Sequence, residues 1–163
     1  MRVKRLTLCA CLCAIALTIF VLEAQIPPIL PVPGFKLGLS NIVTMLALLM
    51  LGWKEALAIL FVRIVLGNLV TGQVAAIFYS LAGGLFSFLC MKLSLSVVNE
   101  RQIWVVGVLG GIAHNFGQML IAVIIASTAK LFVYLPVLLL CGIVTGAMTG
   151  LCAQILKNRR LYP

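Results

Sequence analysis

The chain has 163 residues, 64% of them hydrophobic and only 9% charged, against about 45–50% and about 25% in a soluble globular domain. With a mean hydropathy of +1.26 it has too little polar surface for a soluble enzyme, a disordered tail or a disulfide-rich secreted domain. It reads as one all-α integral membrane domain over residues 1–163.

The first apolar run, Leu6 to about Leu22, follows Arg2, Lys4 and Arg5. A cleaved leader is not expected: Leu22 is too large for the small-residue rule at a site after Ala24, and the apolar stretch ahead of Cys11 is too short for lipoprotein processing. Gln25 to Lys36 reads QIPPILPVPGFK and holds four of the six prolines. Proline removes backbone donors and resists helix, so this loop is expected to be extended. It is either a lid folded over the helices or a plain connector. The second run, Leu37 to Leu51, is short and ends at Gly52-Trp53-Lys54, a turn with an interfacial aromatic and a basic anchor. The third, Ala56 to Val70, is interrupted by Arg63 and Asn68. The fourth runs from Val74 to about Leu95 and ends in a polar loop with Asn99, Glu100 and Arg101. The fifth, Ile103 to Ser127, contains His114, Asn115 and Gln118, and the sixth, Leu131 to Leu156, closes with Lys157, Asn158, Arg159 and Arg160. Measured against the ~20 residues a spanning helix needs, these segments predict a bundle of six transmembrane helices.

The charge of +9 comes from twelve Lys and Arg against Glu23, Glu55 and Glu100. The basic residues flank apolar runs, which is a topology signal rather than a nucleic-acid surface. With the N-terminus cytoplasmic, nine bases lie inside (Arg2, Lys4, Arg5, Lys54, Lys92, Arg101, Lys157, Arg159 and Arg160) and two outside, Lys36 and Lys130. That bias predicts both termini in the cytoplasm, with the proline-rich loop between helices 1 and 2 on the outer face. A re-entrant segment would break this parity. Gly107 and Gly111 on the fifth run, and Gly142, Gly146 and Gly150 on the sixth, form small-residue stripes that allow close helix packing. Ala10 and Ala14 do the same on the first, either within the bundle or toward a partner subunit. The Ala82-Gly83-Gly84 run has no following lysine and reads as packing. The six cysteines read as small hydrophobes beside the membrane.

Polar residues inside apolar runs are the informative ones, because each must face the bundle interior, a cavity or a partner. Arg63 lies eight residues after Glu55, about 12 Å along a helix and so near mid-membrane. It either pairs with Glu23 or binds an anionic substrate. His114 and Gln118 share one helical face, with Asn115 beside them. They either satisfy neighbouring helices or serve a ligand. Asn41, Arg63, Asn68, His114, Asn115 and Gln118 are together the candidate substrate-binding set. One histidine, with no Asp and no clustered Cys, argues against a metal site. No nucleotide loop, catalytic triad or haem or iron–sulfur spacing is present, and no cofactor is implied. Chemistry built on paired Asp and magnesium is absent from this chain, so no catalytic role is expected.

The block Pro33, Gly34, Lys36, Leu37, Gly38, Leu39, Asn41, the stretch around Arg63 and SLAGGLFSF resemble the small bacterial membrane proteins called heptaprenyl diphosphate synthase component I, or the Gx transporter family. That family looks related to the substrate-binding S-components of energy-coupling-factor transporters. The resemblance implies a plasma-membrane protein with a six-helix fold and a small-molecule pocket near the outer face. It implies a lid that includes Pro33, Gly34 and Lys36, and docking of an ATPase-linked coupling protein on Ala10 and Ala14. It also implies a neighbourhood of redox or prenyl-synthase partners. A polyprenyl diphosphate synthase works through Asp-rich magnesium motifs, so within such a system this chain would be a non-catalytic accessory subunit. A purely structural anchor for a redox complex is a third reading.

Overall fold

A backbone surrounded by lipid must satisfy its own polar groups, and helices do this segment by segment. The computed structural model describes residues 2–26 and 36–158, and every regular element among them is helical. The α-helices are α1 (Arg2–Ala24), α2 (Asn41–Met50), α3 (Trp53–Val70), α4 (Ala76–Leu95), α5 (Ile103–Ala126) and α6 (Leu135–Asn158). Short 3-10 turns at Glu100–Gln102 and Ala129–Tyr134 lead into α5 and α6. The proline-rich stretch with Pro33 and Gly34 lies outside the described residues.

Among the described residues four segments are long and apolar enough to cross a membrane: Val3–Ala24, Ala76–Leu95, Glu100–Ala126 and Ala129–Asn158. α3 has 18 residues but carries Lys54, Glu55 and Arg63. α2 has ten residues, about 15 Å of helix, half of a ~30 Å hydrocarbon core. The apolar run from Leu37 to Leu51 is therefore only partly helical. Gly38, at φ +78°, turns the chain where a side chain would be strained, and the helix starts only beyond it. Gly52, at φ +107°, ends α2 in the same way and lets α3 begin. Pro136 sits in the first turn of α6, where its missing N–H costs nothing.

The distribution of side chains is that of a membrane protein. Leu66, Phe78, Leu89, Ile124 and Leu140 are exposed, while Arg63, Asn68, His114, Asn115 and Gln118 are buried. Dispersion rather than hydrophobicity has to join such helices, and small residues permit it. α5 and α6 meet along the expected glycine seam. A Cβ on Gly111 would strike the carbonyl oxygen of Gly142, one on Gly107 that of Gly146, and one on Gly150 that of Trp104. α4 meets α5 where Gly117 faces the Ala82 carbonyl, and Gly84 receives the side chains of Leu60 and Ile64. The Ala82-Gly83-Gly84 run is thus a packing surface.

Three apolar clusters surround the interior. Leu12, Ala16, Val43, Leu60, Ile64 and Phe88 join α1 to α4. Tyr79, Met119 and Leu138 join α4, α5 and α6, and Met45, Met91, Val106 and Ala153 fill the end nearer the N-terminus. Gln154 closes that end, accepting from the Ile103 N–H at 2.8 Å and donating to the Glu100 carbonyl at 3.0 Å. What remains between α1, α3, α4 and α5 at the other end is polar.

Candidate functional site

Arg63 lies on the buried face of α3 and is 2% exposed. A guanidinium in that position needs acceptors, and the turn that leads into α2 and its first residue supply them. Arg63 Nη1 donates to Ser40 Oγ, and Nη2 donates to Asn41 Oδ1 at 3.2 Å. Glu23, at the end of α1, does not meet Arg63: among the described residues the one ion pair within 4 Å is Lys157–Glu100. Glu23 Oε1 instead accepts the Gly38 N–H at 2.5 Å. The direct Glu23–Arg63 pair allowed by the sequence is replaced by a bridge, with both charges gripping the turn formed by residues 38–41.

Lys36 enters from the same strap. Its Nζ donates to Asn68 Oδ1 at 2.9 Å and stands 3.9 Å over the Phe20 ring, a cation–π geometry. Phe20 reaches this place because Gly67 has no side chain; a Cβ there would enter the ring. Asn68 donates in turn to the Ile64 carbonyl at 2.7 Å and to Ser80 Oγ at 3.4 Å. The Lys36 backbone N–H donates to Gln118 Oε1 at 3.5 Å.

α5 contributes His114 and Gln118, one turn apart and facing Gly83 of α4. A Cβ on Gly83 would lie 2.8 Å from Gln118 Cγ and 2.9 Å from His114 Cε1, and one on Gly38 would lie 2.8 Å from His114 Cδ2. Two glycines therefore frame the imidazole. Neither ring nitrogen of His114 makes a well-formed hydrogen bond among the described residues, although the Gly83 backbone lies beside it, and Gln118 Nε2 and Arg63 Nε have no partner among them. Buried polar atoms without partners are uncommon and costly. Four of the seven such atoms among the described residues, on Arg63, His114 and Gln118, belong to residues around one space that Phe20, Glu23 and Lys36 also line; the other three are on Thr44, Ser87 and Asn115. That space is about 10 Å³, room for roughly one water molecule.

Of the six candidate binding residues, Arg63, His114 and Gln118 line this space directly. Asn41 and Asn68 hold the two cations. Asn115 is buried but turned away, donating to the Leu138 carbonyl of α6 at 2.6 Å. The sequence reading missed Gly38, Ser40, Ser80 and Phe20. Gly38 and Ser40 fall within the block from Pro33 to Asn41; Ser80 and Phe20 carry no signal of their own. Of the lid residues only Lys36 is described, and it is buried. Ala10 and Ala14 are exposed on α1. No group of three or more potential metal ligands occurs among the described residues.

A family profile described as heptaprenyl diphosphate synthase component I matches residues 12–156. No curated protein and no solved structure matches the chain.

Proposed function

The chain belongs to the heptaprenyl diphosphate synthase component I family, and from that premise we propose that it binds a small substrate beneath the Lys36–Asn41 strap and acts with partner subunits. The observation that carries this reading is the gathering of unpartnered buried atoms on Arg63, His114 and Gln118 around one space. A bundle that needed these residues only for packing would pair them with each other, as it pairs Gln154 at the opposite end. Burying unsatisfied polar groups in a membrane is costly, and a ligand that accepts their hydrogen bonds recovers that cost.

In this reading the helices form six spans with both termini in the cytoplasm of a bacterial cell, the proline-rich loop outside. The strap and α2 share one crossing, consistent with the burial of Lys36 and Ser40. The site then lies in the outer half and opens outward, as in the S-components of energy-coupling-factor transporters. The chain contributes binding, not catalysis, and its partner supplies energy or electrons. Ala10 and Ala14, exposed on α1, are the docking residues for such a partner, an ATPase-linked coupling protein or a redox protein.

The second reading is favoured by the family description itself. A component I implies another component, and this chain would then be the non-catalytic membrane subunit of polyprenyl diphosphate or quinone synthesis. Native mass spectrometry of the protein released from its own membrane distinguishes the two. A bound small molecule with a coupling protein or redox protein supports the first; co-purification with an Asp-rich soluble prenyl synthase supports the second. A bare chain in which Arg63→Met changes nothing contradicts ligand binding.

A further inference from the structure

The charges around the site do not balance. Lys36 and Arg63 face it, each 9% exposed or less, and Glu23 is the one acid beside them. The chain has only two other acids: Glu55 lies in the first turn of α3, and Glu100 pairs with Lys157 at 3.2 Å. Residues 27–35 read PPILPVPGF and contain no ionisable side chain, so the chain itself has no second counter-charge to bring. An uncompensated positive charge in a poorly solvated interior is costly.

The unpartnered atoms have the matching polarity. Arg63 Nε and Gln118 Nε2 are donors only, and a neutral imidazole adds one N–H. The amide acceptors are already taken, Gln118 Oε1 by the Lys36 N–H, Asn68 Oδ1 by Lys36 Nζ and Asn41 Oδ1 by Arg63, which leaves the unprotonated ring nitrogen of His114 as the one unpartnered acceptor among the described residues lining the space. Phe20 and Ile64 give the same space an apolar wall.

We infer that this site takes the carboxylate of a small organic acid, a singly charged anion held between Lys36 and Arg63 with Gln118 and His114 donating to it. One negative charge neutralises the excess, whereas a dianion would leave a new imbalance. A planar carboxylate has the paired oxygens that a guanidinium and an amide recognise, and a short apolar tail lies against Phe20 and Ile64. The space of about 10 Å³ holds roughly one water molecule, so the inference requires the Lys36–Asn41 strap to shift when the anion enters. This inference rests on the proposed function and specifies its ligand.

The test is thermal unfolding of the purified protein in detergent micelles at pH 7 and constant ionic strength. It is titrated with sodium acetate, sodium propionate, sodium chloride, sodium sulfate and acetamide. Acetate and propionate should raise the midpoint saturably, while acetamide, which has the shape without the charge, and sulfate should not. Lys36→Gln and Arg63→Lys should each raise the half-saturating acetate concentration at least tenfold; two variants guard against one that fails to fold. A response to acetamide or sulfate equal to that to acetate overturns the inference. So does chloride acting as well as acetate, or an acetate response unchanged in both variants. Absence of an acetate effect while native mass spectrometry finds a neutral or cationic molecule bound overturns the carboxylate and spares the proposed function. A bare protein in both measurements defeats both.

Discussion

The α5–α6 seam and the polar space between α1, α3, α4 and α5 are both buried, and they solve burial in opposite ways. Along the seam, Gly107, Gly111, Gly142, Gly146 and Gly150 bring backbone against backbone with no side chain to spare. In the polar space, Arg63, His114 and Gln118 fill volume with expensive groups and leave several of their atoms unused. Close packing explains the first fully. The second carries polarity beyond what packing needs, and that surplus is where function is to be sought.

The largest effect should come from the seam. Gly111→Leu drives a side chain into the Gly142 backbone, and overpacking against rigid backbone should cost at least about 3 kcal/mol. The expected outcome is loss of monodisperse protein in size-exclusion chromatography; a normal elution profile would mean the helices separate easily.

In the polar space the same kind of change should separate stability from binding. Arg63→Met leaves Ser40 and Asn41 without their donor, a cost of about 1–3 kcal/mol, and should abolish ligand binding in protein that still folds. His114→Leu should be gentler. Because the imidazole makes no well-formed hydrogen bond among the described residues, stability should shift by less than about 1 kcal/mol while half-saturation rises several-fold. A collapse of the fold in His114→Leu would show that the ring is structural.

The smallest structural effect is expected on α1: Ala14→Leu, on an exposed position, should leave the unfolding midpoint unchanged and weaken co-purification of the partner.

Much of this comparison is legible before folding. Membrane character, the helices, the α5–α6 stripe and the residues too polar for lipid follow from spacing and cost alone. Which polar atoms spend their bonds on one another does not, because that depends on where the segment before α2 runs. Gly38 turns that segment so that its N–H reaches Glu23 and Ser40 reaches Arg63, replacing the ion pair that charge counting suggests. Asn115 and His114 are adjacent in sequence, yet the rotation of about 100° between neighbouring helical residues sends one to α6 and the other to the strap. The contribution of Phe20 is hidden altogether, since only the absence of a side chain at Gly67 admits its ring.

His114 is the one histidine in the chain, so it can be watched alone. Protein carrying 15N-labelled imidazole, purified without a histidine tag and placed in lipid nanodiscs, would report on the centre of the site through its two ring-nitrogen resonances. The account predicts that both move saturably with sodium acetate and stay fixed with sodium sulfate at equal ionic strength. Resonances that ignore acetate, or that follow sulfate equally, would contradict it.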